Sequence, residues 1–424
     1  MYTLIRENFR GAALPSVRRP ALRVRVAGTV ILLGITSLLT DISSEMVAAI
    51  LPLYLTVQLG LSPLYFGFID GLYQFLSVPL RLAGGFLGDK TRRHKDVAAS
   101  GYALSAFSKL GLLASGSIGL GLTSFLIADR AGKGVRTAPR DALIAANATP
   151  QTMGLSFGVH RSLDTLGALL GPVLAFAILT MAPGAFDSIF VISFCIALIG
   201  VAVIVLFVPG REVRARAAED APADRVAMAD VAKLFRRAPF VRLLVIAGGL
   251  GLFTVSDGFL YLVLQRQLDF EAGLFPLLYV GTAATYFALA APAGWLADRF
   301  GRGRVLVVGY LFLIATYTAL LREPSGPVEI TFYLLLFGAY YAATDGVLAA
   351  LGATRLPEQL RGTGLAMLAS MTGIARFGGA IMFGAMWATW GSGAALIAVV
   401  AGLAAMTLLA PLFLMDDREP QHAG

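Results

Sequence analysis

Residues 126–150 read LIADRAGKGVRTAPRDALIAANATP, an otherwise apolar stretch that carries Asp129, Arg130, Lys133, Arg136, Arg140 and Asp141. At about 100° per residue, Lys133, Arg136 and Arg140 share one side of a helix with Asp129, and Arg130 lies about 60° beyond Lys133. Such a stripe can hold an anion or compensate buried carboxylates. Carboxylates to match it stand in TDISSEMV, where Asp41 and Glu45 are four residues apart and so share a helix face. Away from water a carboxylate either pairs with a cation or takes up a proton. Asp41 and Glu45 are therefore the candidate proton carriers, with Arg130 as electrostatic partner and Asp129 and Asp164 as further members of the relay. The competing expectation is a permanent ion pair with Arg130 or Lys133 that only holds helices together. His160, one turn before Asp164, is either a relay or a structural hydrogen bonder. Candidate substrate contacts are Lys133, Arg136 and Arg140, together with Asp257, Tyr261, Tyr341 and Asp345 from the second half of the chain. Cys195 lies alone in an apolar run and the three histidines are scattered, so no metal site is expected.

The elements that must position these residues follow from composition. Of 424 residues, 57% are hydrophobic and only 14% charged, which excludes an ordinary soluble protein and leaves an integral membrane protein in contact with a lipid bilayer. The net charge of +8 fits cationic loops at a membrane, so nucleic acid is not expected as a partner. Apolar runs fall near 27–55, 64–88, 97–116, 119–147, 154–181 and 186–208, and again near 238–264, 273–297, 304–321, 328–350, 362–388 and 391–414. Runs of this length must be helical, because unpaired backbone cannot face lipid. The expected fold class is an all-α membrane protein of twelve transmembrane helices in two pseudo-symmetric six-helix bundles. Its parts are an N-terminal tail (1–26), a first bundle (27–208), a charged linker (209–237), a second bundle (238–414) and a C-terminal tail (415–424). With both tails and the linker placed in the cytoplasm, 23 of the 34 Lys and Arg fall on that side, as the positive-inside rule requires.

The two halves repeat one another. GGFLGDKTRRHK, at Gly84 to Lys95, returns as GWLADRFGRGR at Gly294 to Arg304; Asp41 is matched by Asp257 and Asp141 by Asp345. A duplicated unit places a substrate site at the midplane between repeats. The repeated motif supplies the candidate gate residues Gly85, Asp89 and Arg93, and Gly294, Asp298 and Arg299, whose charges can lock one conformation and release in another. A plain cluster of charges that stops the chain at the membrane surface is the alternative. Gly158, Gly167, Gly171 and Pro172 form a glycine-proline ladder suited to close packing and helix bending.

These motifs resemble those of the major facilitator superfamily, and the resemblance runs over nearly the whole chain. Gly85–Lys95 and Gly294–Arg304 are similar to its loop 2/3 and loop 8/9 signatures, with Arg92 standing where a glycine is usual. Leu126, Arg130 and Gly134 resemble the fourth-helix motif whose arginine is implicated in proton coupling. Gly158, Gly167, Gly171 and Pro172 resemble the fifth-helix antiporter motif, except that Ala175 and Phe176 replace its last two glycines. TDISSEM and GKGVRTAPRDALIA look like those of a bacterial subgroup of permeases. The resemblance implies a secondary transporter of the bacterial cytoplasmic (inner) membrane that works by alternating access as a monomer and moves a small-molecule substrate with protons. It implies no enzymatic activity and no cofactor. Proton-coupled efflux of a small amphipathic or anionic organic molecule is the leading expectation. Uptake of an organic anion or metal chelate is the second, and a non-transporting sensor or assembly factor on the same scaffold is the third.

Overall fold

The computed structural model describes residues 26–414 except 117–118, 150–151, 210–233, 236, 269, 325 and 358–359. The expected tails, apart from Val26, and most of the linker lie outside the described residues. Within them the regular structure is entirely helical. The first half contains α1 (Gly28–Leu53, prolonged by a π-helical turn at Tyr54–Gln58), α2 (Pro63–Phe75), α3 (Ser77–Thr91), α4 (His94–Ser115), α5 (Gly119–Ala146), α6 (Met153–Met181) and α7 (Phe186–Phe207). The second contains α8 (Ala238–Leu252), α9 (Asp257–Leu268), α10 (Phe275–Phe300), α11 (Arg302–Ala319), α12 (Pro327–Thr344), α13 (Val347–Thr354), α14 (Arg361–Trp390) and α15 (Ser392–Leu414).

Nine helices among the described residues, counting α8–α9 and α12–α13 as one each, are long and apolar enough to cross a bilayer. The other three expected spans are also helical: α2–α3 breaks at Leu76, α5 carries the charge stripe, and α11 opens with Arg302 and Arg304. Pro139 lies inside α5 without ending it.

Besides the division at Leu76, two further breaks were not expected. The run 238–264 divides into α8 and α9, with Asp257 opening the second helix, and three glycines (Gly248, Gly249, Gly251) weaken the stretch just before the break. The run 328–350 divides at Asp345, which is extended, and Gly346, which has φ +74°. Asp-Gly is a turn dipeptide, and the apolar residues around it hid that signal.

Glycine backbones set the packing. On α6, a Cβ at Gly167 would meet Leu38 O at 2.5 Å and one at Gly171 would meet Ile42 O at 2.7 Å, so α6 lies directly on α1 beside Asp41 and Glu45. Gly132 brings α5 equally close to α4 at Gly101, and Gly84 brings α3 onto α5 at Val135. The charge stripe is thus enclosed by helices instead of lipid.

The halves meet at the end of the bundle that bears the α1–α2 connection. Gly67 approaches the Ala380 backbone, Gly384 approaches Pro63, and Phe66 and Phe259 pack edge to face with centroids 4.7 Å apart. That end is closed.

Candidate functional site

The stripe on α5 finds its counter-charges on three neighbours. Arg136 Nη2 donates to Asp41 Oδ1 at 3.1 Å, and its guanidinium lies 4.5 Å from the Tyr102 ring centroid. Lys133 Nζ donates to Glu45 Oε1 at 3.0 Å and stands 4.0 Å from Asp41 Oδ1. Asp164 of α6 acts on Asp41 as a neighbouring carboxylate. Lys133 and Arg136 make the ion pairs to the α1 carboxylates, while Arg130 lies on the Tyr73 ring, 3.1 Å from its centroid, and acts on Glu45 and Asp41 electrostatically. Arg130 lies about 120° from Arg136 around α5, on the side toward α2.

Asp129 faces α4, where it accepts from Lys109 Nζ at 2.9 Å and Ser105 Oγ at 2.6 Å. This pair is almost sealed, with the two side chains 1% and 9% exposed. Arg140 donates to Asp141 at 3.0 Å and to Ser37 Oγ at 3.2 Å and lies 3.6 Å from Asp164. Ser37 is also bonded to Tyr102 OH at 3.1 Å and His160 Nε2 at 3.0 Å. One connected polar network therefore runs from His160 and Asp164 on α6 through Ser37 and Arg140 to Asp41 on α1. Ser37, Tyr73 and Tyr102 escaped sequence reading because single polar or aromatic residues are common in apolar runs. Lys109 stands out in sequence as a cation in an apolar run, which must be compensated.

A cavity of about 210 Å³ lies between the halves. Its walls are Glu45 of α1, Ala168, Leu169 and Pro172 of α6, Asp257 of α9, Tyr279, Val280, Thr282, Ala283 and Tyr286 of α10, and Tyr341 and Asp345 at the end of α12. Tyr341 donates a short hydrogen bond to Asp257, and Tyr286 donates to Asp345 at 3.2 Å. Of the residues expected to contact substrate, Asp257, Tyr341 and Asp345 reach this cavity and Lys133, Arg136 and Arg140 do not line it. Tyr261 sits behind the wall, packed edge to face on Tyr279 at 4.6 Å and donating to Thr282 Oγ1 at 2.7 Å. A second cavity of about 250 Å³, within the second half, shares Tyr341 and Asp345 and is lined further by Tyr310, Thr344, Thr372 and Arg376. In sequence Arg376 is a lone cation in an apolar run, and Tyr279 gives no signal beyond its aromatic type.

The gate motifs lie at the end of the bundle opposite the closed contact. Asp89 is bonded to His94 at 3.1 Å, Arg93 to Asp96 at 2.8 Å, and Asp298 to Arg302 at 3.0 Å, while Arg299 stacks on Trp295 at 5.2 Å. Each of these partners belongs to the same half as the gate residue. Gly85 faces Ala138, and Gly294 has open space where a side chain would stand. The motif turns share a positive φ but differ in residue and conformation: Arg92 is left-handed at φ +56°, ψ +18°, where the second copy has Gly301 at φ +98°, ψ +130°. In the glycine-proline ladder Gly167 and Gly171 make the α1 contact and Pro172 reaches the cavity, whereas Gly158 has nothing near it.

Comparison with known proteins agrees with this architecture. The sequence matches the Major Facilitator Superfamily over residues 33–380 and 254–424. It is 30% identical over 369 residues to the MFS-type transporter MJ1317 of Methanocaldococcus jannaschii, covering 84% of this chain and 88% of that protein. It is 26% identical over 404 residues to the protein Rv2265 of Mycobacterium tuberculosis, covering 92% and 93%. Among solved structures, a mutant of the nucleoside transporter NupG superposes with a TM-score of 0.80 at 13% identity, covering 91% of this chain and 99% of that one. A D-xylose–proton symporter superposes with a TM-score of 0.70 at 14% identity, covering 91% and 97%. A bacterial homologue of the lysosomal transporter Spinster, in an inward-facing conformation, superposes with a TM-score of 0.69 at 14% identity, covering 93% and 98%. An all-helical membrane fold with a cavity between its halves, and these matches over most of its length, lead to one conclusion: the chain belongs to the Major Facilitator Superfamily of membrane transporters.

Proposed function

We propose that the chain is a twelve-span secondary active transporter of the bacterial cytoplasmic membrane, with both termini in the cytoplasm, that exports a small organic molecule in exchange for protons as a monomer. The observation that carries this reading is the position of Glu45, which lines the cavity between the halves and is ion-paired to Lys133 of the charge stripe at 3.0 Å. A change of protonation or pairing at the stripe is thereby transmitted to the cavity wall. In this reading Asp41, Glu45 and Asp164 exchange protons, Arg136 and Lys133 discharge them, and the cavity holds the substrate.

The closed contact at Phe66 and Phe259 is then the outer gate, and the ends bearing Asp89 and Asp298 part and rejoin at the cytoplasmic face. Arg130 acts as a fixed charge on the Tyr73 ring beside the network. Gly167 and Gly171 let α6 slide on α1 while Pro172 shapes the cavity wall.

The reading is tested by profiling metabolites inside and outside cells that lack or overproduce the chain, followed by transport of the responding solute into everted vesicles. Overproduction should deplete at least one solute from the cells, and a protonophore should abolish its movement into vesicles. Identical profiles in both strains would contradict the reading.

A further inference from the structure

The lining of the central cavity carries information about the charge of its occupant. Three carboxylates reach it, from Glu45, Asp257 and Asp345, and no lysine or arginine does. Glu45 is matched by Lys133 at 3.0 Å. Arg376, in the adjoining cavity, acts on Asp257, and the hydrogen bonds that Asp257 and Asp345 accept from side chains among the described residues come from tyrosines. Arg161 acts on Tyr286 beside Asp345, but its side chain is 78% exposed and lies 3.6 Å from Asp164, so it is screened and already engaged. Among the described residues the cavity wall thus carries an excess of acidic over basic groups. Tyrosine hydroxyls from Tyr341 and Tyr286 soften that excess without cancelling it.

We infer that the central cavity binds a small organic monocation, an ammonium-type group on an apolar or aromatic body, in which the cation sits between Asp257 and Asp345. This inference rests on the transporter reading above and assigns its substrate class. Three features agree on it. The acidic lining repels an anion and attracts a cation. The rings of Tyr279, Tyr286 and Tyr341 supply π faces for a cation. The remaining wall, from Leu169, Pro172, Val280 and Ala283, is apolar and receives the body of the molecule. The volume of about 210 Å³ lies below the ≈ 300–1,000 Å³ of drug-sized sites, so the occupant is compact. The cationic stripe, which from sequence suggested an anion, is spent on Asp41, Glu45, Asp141 and Asp164. A proton and an organic cation would then compete for the same net charge at opposite ends of the Glu45–Lys133 contact, as exchange transport requires.

The test uses the full chain purified in detergent and three probes of one size: phenyltrimethylammonium, its neutral isostere tert-butylbenzene, and benzenesulfonate. Binding is read by calorimetry, and flux in proteoliposomes under an imposed pH gradient. Phenyltrimethylammonium should bind at least tenfold more tightly than either other probe, Asp345→Asn should weaken it about tenfold, and Arg376→Gln should tighten it. Because Asp345 is exposed at a helix break, its amide variant preserves the fold, and the three-probe comparison on the unaltered chain needs no variant. Tighter binding of benzenesulfonate, equal binding of all three, or no binding of the cation would overturn the inference. If benzenesulfonate moves with the gradient, the transporter reading stands and the monocation falls. If the cation binds through Asp345 but crosses under no gradient, the monocation stands and the transporter reading falls.

Discussion

Lys133 Nζ stands 3.0 Å from Glu45 Oε1, and this contact joins the charge stripe of α5 to the cavity between the halves. Both side chains are about 30% exposed, at 32% and 28%, so the pair is open enough to break and buried enough for breaking to matter. Glu45→Gln should leave Lys133 drawn toward Asp41, now 4.0 Å away, and should slow coupled transport at least tenfold. Transport in everted vesicles at fixed substrate concentration measures it. An unchanged rate would remove Glu45 from the coupling path.

The Lys109–Asp129 pair is of a different kind. It is sealed between α4 and α5 and further bonded by Ser105, so truncating one partner strands a charge. Asp129→Ala should destabilise the protein by about 3–5 kcal/mol, while the double variant Lys109→Met with Asp129→Leu should recover most of that loss. Thermal unfolding in detergent reads both. Equal loss in the single and double variants would show that the pair has another task.

The glycines of α6 divide by environment. Gly167→Ala and Gly171→Ala put a Cβ within 2.5 and 2.7 Å of α1 carbonyls and should cost about 1–3 kcal/mol each, whereas Gly158→Ala, with nothing within 4 Å, should be neutral or slightly stabilising. Melting temperatures of the three variants give the comparison, and a uniform response would contradict the packing described.

Arg92 holds a left-handed conformation that a glycine would adopt without steric cost. Arg92→Gly should stabilise the α3–α4 turn by about 1 kcal/mol. A lower melting temperature for that variant would mean that the arginine side chain contributes more than its backbone strain removes.

The helical architecture was readable because apolar runs of membrane length admit few alternatives, and the repeat was readable because Asp89 and Asp298 stand in the same motif. The carboxylates and cations of the network were also legible, since a charge in an apolar run must be compensated. Their pairing was not. Whether Asp41 meets Arg130 or Arg136 depends on a rotation of about 120° between facing helices, which the glycine contacts of α5 and α6 decide and a single sequence does not state. The break at Asp345 was hidden for a related reason. Its Asp-Gly dipeptide signals a turn, but the apolar run on either side signals a continuous span, and only the packed structure shows which prevails.

The central claim is that protons taken up by the Asp41 network drive movement through the cavity. It is tested most directly by comparing two modes of transport for the unaltered chain and Asp41→Asn in proteoliposomes, using the solute whose export depends on the chain. The account predicts that Asp41→Asn abolishes accumulation driven by a pH gradient but retains exchange of labelled for unlabelled solute at equilibrium. Gradient-driven accumulation at the unaltered rate in Asp41→Asn would contradict it, and loss of both modes together with the fold would reduce Asp41 to a partner that holds Arg136 in place.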